Sequence, residues 1–222
     1  MTRKQEVKNS NEFINALWIG KHLSLLECLT IQSFLSNGHR FRLFIYDEIE
    51  TPLPEGCEIA DANTIIPEQF VFRYKKSSQF GQGKGSVSGF SDIFRYKLLY
   101  EKGGWWVDMD VSCLKPFDFD VPYFFRAHHE LPAVGNVMKA PIGSELMLQA
   151  YENAFKQVNE NNRDWHLPIK ILTDLIEAYG YGKYVFKQYS NQDQWNEVRQ
   201  LLLEPKELPA DYYCIHWMNE NW

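Results

Sequence analysis

The opening of the chain restricts its fold more than any other stretch. Ile14-Asn15-Ala16-Leu17-Trp18-Ile19 is a short apolar run that ends at Gly20 and reads as a buried strand. Leu23, Leu26, Leu29, Ile31 and Phe34 then recur at helical spacing up to Asn37-Gly38, residues that stop helices. Phe41, Leu43 and Ile45 alternate with other residues, the period of a second strand. Strand, helix and strand in that order build a mostly parallel sheet flanked by helices. The class expected is α/β.

Further along, prolines and short apolar pieces between Thr51 and Pro67 suggest one brief strand, and Lys75 to Gly89 reads as a glycine- and serine-rich loop. That loop holds no Gly-Lys-Ser or Gly-Lys-Thr, so it carries no phosphate-loop signature. Ser91 is placed to cap a helix from Asp92 to Lys102 that stops at Gly103-Gly104, and a strand from Trp105 to Val111 follows directly. Helices are expected over Ser144 to about Glu160, Pro168 to Gly180 and Asp193 to Leu203, with a last strand at Tyr212 to Ile215. With 222 residues and no repeat or linker, residues 1–222 are expected to form a single domain.

Composition excludes several roles. A net charge of -6 argues against a protein that tracks nucleic-acid phosphates, so no nucleic-acid partner is expected. Any phosphate bound here needs a metal or local cations. The four cysteines are scattered without zinc-ligand spacing, which fits a reduced, cytoplasmic protein. Neither a signal peptide in the polar stretch Met1 to Asn11 nor an apolar run long enough to span a bilayer is evident, which leaves peripheral membrane contact.

The acidic motif carries the chemistry. If Trp105 to Val111 is one strand, Trp106, Asp108 and Asp110 share a face while Trp105, Val107, Met109 and Val111 share the other. Carboxylates two residues apart in a strand have backbones roughly 6.5–7 Å apart. That separation lets both address one hydrated Mg2+ or Mn2+, with phosphate oxygens completing the shell. An Asp-x-Asp is a cheap match, and Asp118-Phe119-Asp120 supplies a second one. Position separates them: Asp108 and Asp110 end an apolar strand, where α/β proteins place ligands, whereas Asp118 and Asp120 follow Pro116 in a looser segment. On the preceding helix, Asp92, Arg95 and Tyr96 share one face, either as part of a site or as a plain surface ion pair.

The run Gly89-Phe90-Ser91-Asp92-Ile93-Phe94-Arg95-Tyr96, continued by Leu99-Tyr100-Glu101-Lys102-Gly103-Gly104-Trp105-Trp106-Val107-Asp108-Met109-Asp110, closely resembles the sugar-binding region of glycosyltransferase family 32. It is more distantly similar to the catalytic domains of large clostridial glucosylating toxins. Leu17-Trp18-Ile19-Gly20, Tyr46-Asp47, Lys139-Ala140-Pro141 and Ile215-His216-Trp217-Met218-Asn219 extend the resemblance. It implies a GT-A-like fold, a nucleotide-sugar donor, Mn2+ or Mg2+, and retention of anomeric configuration.

By position, the resemblance makes Trp18 the residue stacked on the nucleotide base, and Asp92, Arg95 and Tyr96 part of the donor grip. It makes Asp108, Asp110 and Arg95 the catalytic set. Asp110 is the direct metal ligand, and Asp108 contacts ribose, sugar or metal-bound water. His216 and Asn219 join the metal or phosphate, and Trp217 and Trp222 form a lid over the donor. Core packing is the alternative for Trp18, and a buried aromatic clamp for the tail. His128-His129-Glu130 is given no metal role, although Glu130 is placed to line the acceptor side.

One departure concerns the late region. Relatives commonly carry Thr-Gly-Pro there, and this chain reads Trp165-His166-Leu167-Pro168-Ile169-Lys170. The expected function is transfer of a hexose or N-acetylhexosamine, from a UDP-sugar, to a glycan, lipid-linked sugar or protein acceptor. The setting expected is bacterial surface polysaccharide synthesis at the inner face of the membrane. A nucleotide-sugar-binding module with impaired catalysis and a metal-dependent phosphoester hydrolase are the alternatives.

Overall fold

The computed structural model describes residues 13–81, 83–187, 189–204 and 207–219. Nine strands alternate with five helices among these residues. The first half runs β1 (Ile14–Trp18), α1 (Leu25–Ser36), β2 (Phe41–Ile45), β3 (Cys57–Asp61), α2 (Ser88–Lys102), β4 (Gly104–Val107) and β5 (Val111–Cys113). The second half runs β6 (Phe124–Arg126), β7 (Val134–Ala140), α3 (Glu145–Gln157), α4 (Leu167–Ala178), β8 (Val185–Phe186), α5 (Trp195–Leu203) and β9 (Cys214–His216).

Seven strands form the central sheet in the order β3-β2-β1-β4-β7-β6-β8. β3, β2, β1 and β4 are mutually parallel, β7 runs antiparallel to both β4 and β6, and β8 is parallel to β6. The α/β architecture with a mostly parallel sheet is therefore as expected. One face packs Phe90, Phe94, Trp106, Met138, Leu146 and Leu172 beneath α2, α3 and α4. The other packs Ile14, Phe34, Phe41, Trp105, Val111 and Phe124. Because both faces are covered, strand β4 is apolar on both sides, and Trp106 is core like Trp105, each 1% exposed.

Local signals explain where elements begin. Ser24 caps α1 with a reciprocal box: its hydroxyl takes an N–H of the first turn while Glu27 accepts from the Ser24 N–H at 2.5 Å. Helix α2 starts at Ser88, earlier than the Ser91 cap signal predicts. Packing overrides the cap: Phe90 is 1% exposed, and a Cβ on Gly89 would stand 2.2 Å from the Tyr74 hydroxyl. At its other end Gly103 and Gly104 have φ of 62° and 83°, and a Cβ on Gly103 would meet the Ile142 nitrogen at 2.6 Å. The turn into β4 is thus closed to side chains.

The largest departure from the sequence reading lies at the acidic motif. The strand expected from Trp105 to Val111 stops at Val107. The Asp108 N–H turns to the Asn136 carbonyl at 2.9 Å, Met109 and Asp110 form a turn, and Val111 starts β5 in a separate two-stranded sheet with β9. Thr30 of α1 fixes that turn by donating to the Met109 carbonyl at 2.9 Å. Two further adjustments follow from packing: α5 begins at Trp195 and not at Asp193, and the last strand runs Cys214–His216. The one brief strand expected between Thr51 and Pro67 is β3, and a short 3-10 turn, Ala62–Thr64, follows it.

Candidate active site

Parallel strands β1 and β4 deliver their C-terminal ends to the same edge of the sheet, where open α/β sheets bind ligands. Helix α2 places Asp92 and Arg95 one turn apart on the face that looks toward this edge. The Arg95 guanidinium lies 3.3 Å from Asp92 Oδ1 and 3.0 Å from Asp108 Oδ1, and 5.2 Å from the Trp106 ring centroid. Trp106 Nε1 donates to the same Asp108 oxygen at 2.8 Å. Arg95 reaches this position past Gly135 of β7: a Cβ there would stand 2.8 Å from Nη1 and 3.3 Å from Cδ. The missing side chain is space for the guanidinium.

Asp110 belongs to a different network. Its Oδ2 lies 3.2 Å from His216 Nε2 and accepts the Asn219 backbone N–H at 2.9 Å, while its backbone carbonyl accepts from Trp217 N–H at 2.9 Å. His216 Nδ1 meets Asp193 Oδ1 at 2.8 Å. Asp193 is gripped in turn by Arg126, whose Nη1 donates to Asp193 Oδ2 at 2.7 Å and whose Nη2 reaches Asp193 Oδ1. Arg126 also donates to Ser190 Oγ at 2.6 Å, to Asn136 Oδ1 at 3.1 Å and to the Asn191 carbonyl. Asn191 clamps the β9 backbone from both sides, accepting from His216 N–H at 2.8 Å and donating to its carbonyl at 2.9 Å. A chain of alternating charge, Asp110, His216, Asp193, Arg126, therefore runs through the interior beneath the motif.

Environment sets the protonation of each group. Burial pushes Asp92 up to about 6, with Asp108 adding to the rise and Arg95 opposing it. Asp108 is also raised, by burial first and by Asp110, with Arg95, the Trp106 N–H and His216 offsetting part of the effect. Burial works against ionisation of Asp110 too, yet His216 and the Asn219 N–H outweigh it and lower its pKa. Burial favours neutral His216, but a carboxylate on each ring nitrogen holds its imidazolium well above the ordinary range. Asp193 is driven well below the usual carboxylate range by His216 and Arg126 in spite of its burial.

A cleft of about 540 Å³ opens over these groups, with Asp92, Arg95, Asp108, Asp110 and His216 in its wall. Those five expected residues are thus brought together. Asn219 joins through its backbone N–H, and its side-chain amide turns to Glu27 Oε1 at 3.4 Å. Three others stand elsewhere. Tyr96 is fully buried and donates to the Pro168 carbonyl at 3.0 Å, tying α2 to α4. Trp18 is half-buried, donates to the His22 carbonyl at 3.1 Å and packs against the α1 side of the core, outside the cleft wall. Trp217 points its Nε1 back to Ser112 Oγ at 2.7 Å, so Met218 is the tail residue that lines the cleft. Trp222 lies outside the described residues. Of the second Asp-x-Asp, Asp118 and Asp120 are exposed, and the adjacent Phe117 and Phe119 pack on Trp105 at 4.9 and 5.9 Å between centroids.

A divalent cation fits this donor set in one way. Asp108 is occupied on both oxygens by Arg95 and on one by Trp106, whereas no hydrogen bond among the described residues falls on Asp110 Oδ1. No cluster of three or more His, Cys, Asp or Glu suited to a metal occurs among the described residues. One or two carboxylates, with phosphate oxygens and water completing the shell, is the usual protein share for Mg2+. Charge points the same way: the four carboxylates of Asp92, Asp108, Asp110 and Asp193 outnumber the three cationic groups of Arg95, Arg126 and His216. A diphosphate brought here finds no surplus positive charge on the protein.

Residues 29–126 match the family model described as the glycosyltransferase sugar-binding region containing the DXD motif. This segment is similar to glycosyltransferase sugar-binding regions. The glycosyltransferase match runs from within α1 to the end of β6, so it contains Asp92, Arg95, Asp108 and Asp110 and leaves Asp193 and His216 beyond it. Among solved structures, the PaToxG glycosyltransferase is similar over 90% of this chain and 81% of its own, with 14% identity and a TM-score of 0.49. A transferase mutant with two cysteines replaced by serine is similar over 92% of this chain and 93% of its own, with 12% identity and a TM-score of 0.43. No curated protein sequence matches.

Asp193, Arg126, Asn191 and Gly135 were not singled out from the sequence. Asp193 reads there as the start of a helix, whereas it holds φ of 61° with its side chain buried among cations. An arginine in a short apolar strand such as Phe124-Phe125-Arg126 is the one signal that could have pointed to a buried counter-charge.

Proposed function

We propose that this chain is a glycosyltransferase, one catalytic unit that moves a hexose or N-acetylhexosamine from a UDP-sugar to a saccharide acceptor, with Mn2+ or Mg2+ and with retention. The observation that carries the reading is Arg95 held between Asp92 and Asp108 in the wall of the same cleft as Asp110. Asp92 and Arg95 present a fixed carboxylate and a fixed guanidinium to sugar hydroxyls and diphosphate oxygens. Asp110, through its unengaged oxygen, and Asp108 are the residues that would hold the cation. When bound, the cation supplies positive charge to the leaving diphosphate, which the protein groups alone lack.

Arg95 is preorganised by its two ion pairs, so stabilising charge on the departing diphosphate requires little reorganisation. In the arrangement described, His216 serves Asp110 as a hydrogen-bond donor; its direct ligation of metal would first require release from Asp110 and Asp193. Bacterial surface-glycan synthesis at the inner face of the membrane is the setting proposed. No helix among the described residues is long and apolar enough to cross a membrane.

The test is a melting-temperature panel of UDP-glucose, UDP-galactose, UDP-N-acetylglucosamine, GDP-mannose and UDP, each with Mn2+, Mg2+ or chelator, followed by slow donor hydrolysis without acceptor. Metal-dependent stabilisation by a nucleotide sugar, and hydrolysis at least about 100-fold lower in Asp110→Ala, are expected. Stabilisation by none of the panel, or unchanged turnover in that variant, refutes the reading.

A further inference from the structure

We propose that Phe80, Trp165, His129 and Glu130, which line the cleft together, form a subsite for an uncharged pyranose of the acceptor, the two rings giving it apolar faces and His129 and Glu130 giving it polar edges. The proposal rests on the glycosyl-transfer reading and adds to it the residues that hold the acceptor sugar.

Phe80 sits in the cleft wall with 61% of its surface exposed, and its ring lies 5.2 Å from that of His166. A large apolar ring left open inside a polar cleft marks a place that a ligand covers. Trp165 lines the same wall and is fixed from behind. Its indole stacks on the buried Tyr74 with centroids 5.8 Å apart and planes at 22°. The backbone at Gly83 passes so close that a Cβ there would stand 1.5 Å from ring carbon Cζ2. The indole N–H is buried and has no hydrogen-bond partner among the described residues. A tryptophan serving only the core normally satisfies that donor.

His128 and His129, in the lining of the same cleft, stack with centroids 4.3 Å apart. His128 Nδ1 accepts the N–H groups of Glu130 and Leu131 at 3.0 and 3.2 Å, which requires that nitrogen unprotonated. His129 Nδ1 sits 2.7 Å from the Gln192 carbonyl, and its Nε2 lies 3.6 Å from the exposed Glu130 carboxylate. Flat apolar rings together with hydrogen-bonding edges in one cleft match a pyranose, which has C–H faces and a rim of hydroxyls. The exposed Glu130 carboxylate lines the cleft and disfavours an anionic group beside it. An extended peptide gains most by adding to a free strand edge, yet β6, which leads into this wall, is paired on both sides by β7 and β8.

The test uses the whole chain with whichever donor it hydrolyses. Para-nitrophenyl glycosides of glucose, galactose, mannose and N-acetylglucosamine are compared with short peptides bearing Ser, Thr or Tyr, reading donor consumption and product mass. Acceleration by at least one glycoside, and a fivefold or greater fall in the ratio of transfer to hydrolysis in Phe80→Ser and Trp165→Leu, are expected. Phe70→Ser, a surface control that packs on Phe155, leaves the ratio unchanged. Acceleration by peptides alone, by none of the probes, or an unaltered ratio in Phe80→Ser overturns the subsite while leaving the donor reading standing. Absence of donor hydrolysis in the unaltered protein overturns both.

Discussion

Arg126 offers the sharpest test of the buried network. It is 1% exposed and donates to Ser190, Asn136, Asn191 and both oxygens of Asp193. Arg126→Met keeps most of the side-chain volume and removes every one of these donors. Asp193, 6% exposed, is then left with His216 as its one remaining partner in the charge chain, at 2.8 Å. Breaking a buried pair by deleting one member costs about 3–5 kcal/mol, because the other charge stays behind. For a chain of this length each kcal/mol moves the melting temperature by about 2–4 °C, so a fall of roughly 6–20 °C follows. The cause is separable from lost packing. If the cost comes from stranded charge, Asp193→Asn in the same molecule restores part of it, with a coupling of about 1–3 kcal/mol in a double-mutant cycle. Chemical denaturation of the unaltered protein, both single variants and the double variant supplies all four corners. A single variant within about 1 kcal/mol of the starting protein, or strict additivity in the double, would refute the argument that charge compensation holds β9 in place.

Gly135→Ala forces a methyl group against a guanidinium pinned by Asp92 and Asp108; a loss of about 1–3 kcal/mol and a fall in donor hydrolysis are expected, whereas Gly38→Ala, with nothing within 4 Å, changes stability only through its φ of 81°. Burial first, then His129 and Arg126, lower His128 to about 4 despite Asp193 nearby, so the unfolded chain binds its proton more readily than the folded one. That contribution to stability is complete above about pH 6.5 and declines as pH falls through the window down to about 4, on the order of 1 kcal/mol; His128→Gln should flatten the urea midpoint across that window. Cys113 and Cys214 stand directly opposite in β5 and β9, at a position whose N–H groups bond Ser33 and Tyr189 instead of each other. Such non-hydrogen-bonded pairs bring Cα atoms to about 4.5 Å, so refolding with oxidised glutathione should yield a Cys113–Cys214 peptide pair on mapping. Burial raises both thiols, Cys214 to about 12, so the folded protein should resist the same oxidant; two free thiols after refolding would count against the register.

The sequence made the parallel half of the sheet legible, because β1, α1 and β2 each carry their own periodicity. It hid β7, where Val134-Gly135-Asn136-Val137-Met138-Lys139-Ala140 contains glycine, asparagine and lysine at positions that are all buried. Each exception has a tertiary reason: Gly135 clears Arg95, Asn136 receives Arg126 and its carbonyl takes the Asp108 N–H, and Lys139 Nζ donates to the Phe119 carbonyl. Periodicity registers burial of side chains and carries no information about which polar groups will be compensated from afar. Asp92, Arg95, Asp108 and Asp110 were legible for the opposite reason, since they lie within one helix–turn–strand unit. Asp193 and Arg126 are 67 residues apart, and only folding makes them a pair.

The break after Val107 changes what the two motif carboxylates can do. On one continuous strand they would be equivalent neighbours on a common face. Here Asp108 is fastened to the central sheet through Asn136, Trp106 and Arg95, whereas Asp110 opens the small sheet and is fastened to β9 through Trp217, His216 and Asn219. The two carboxylates are thus held from opposite sides, with the turn between them fixed by Thr30. Asn191, which Arg126 holds through its carbonyl, locks β9 and with it the His216 and Asn219 contacts of Asp110 to the body of the protein.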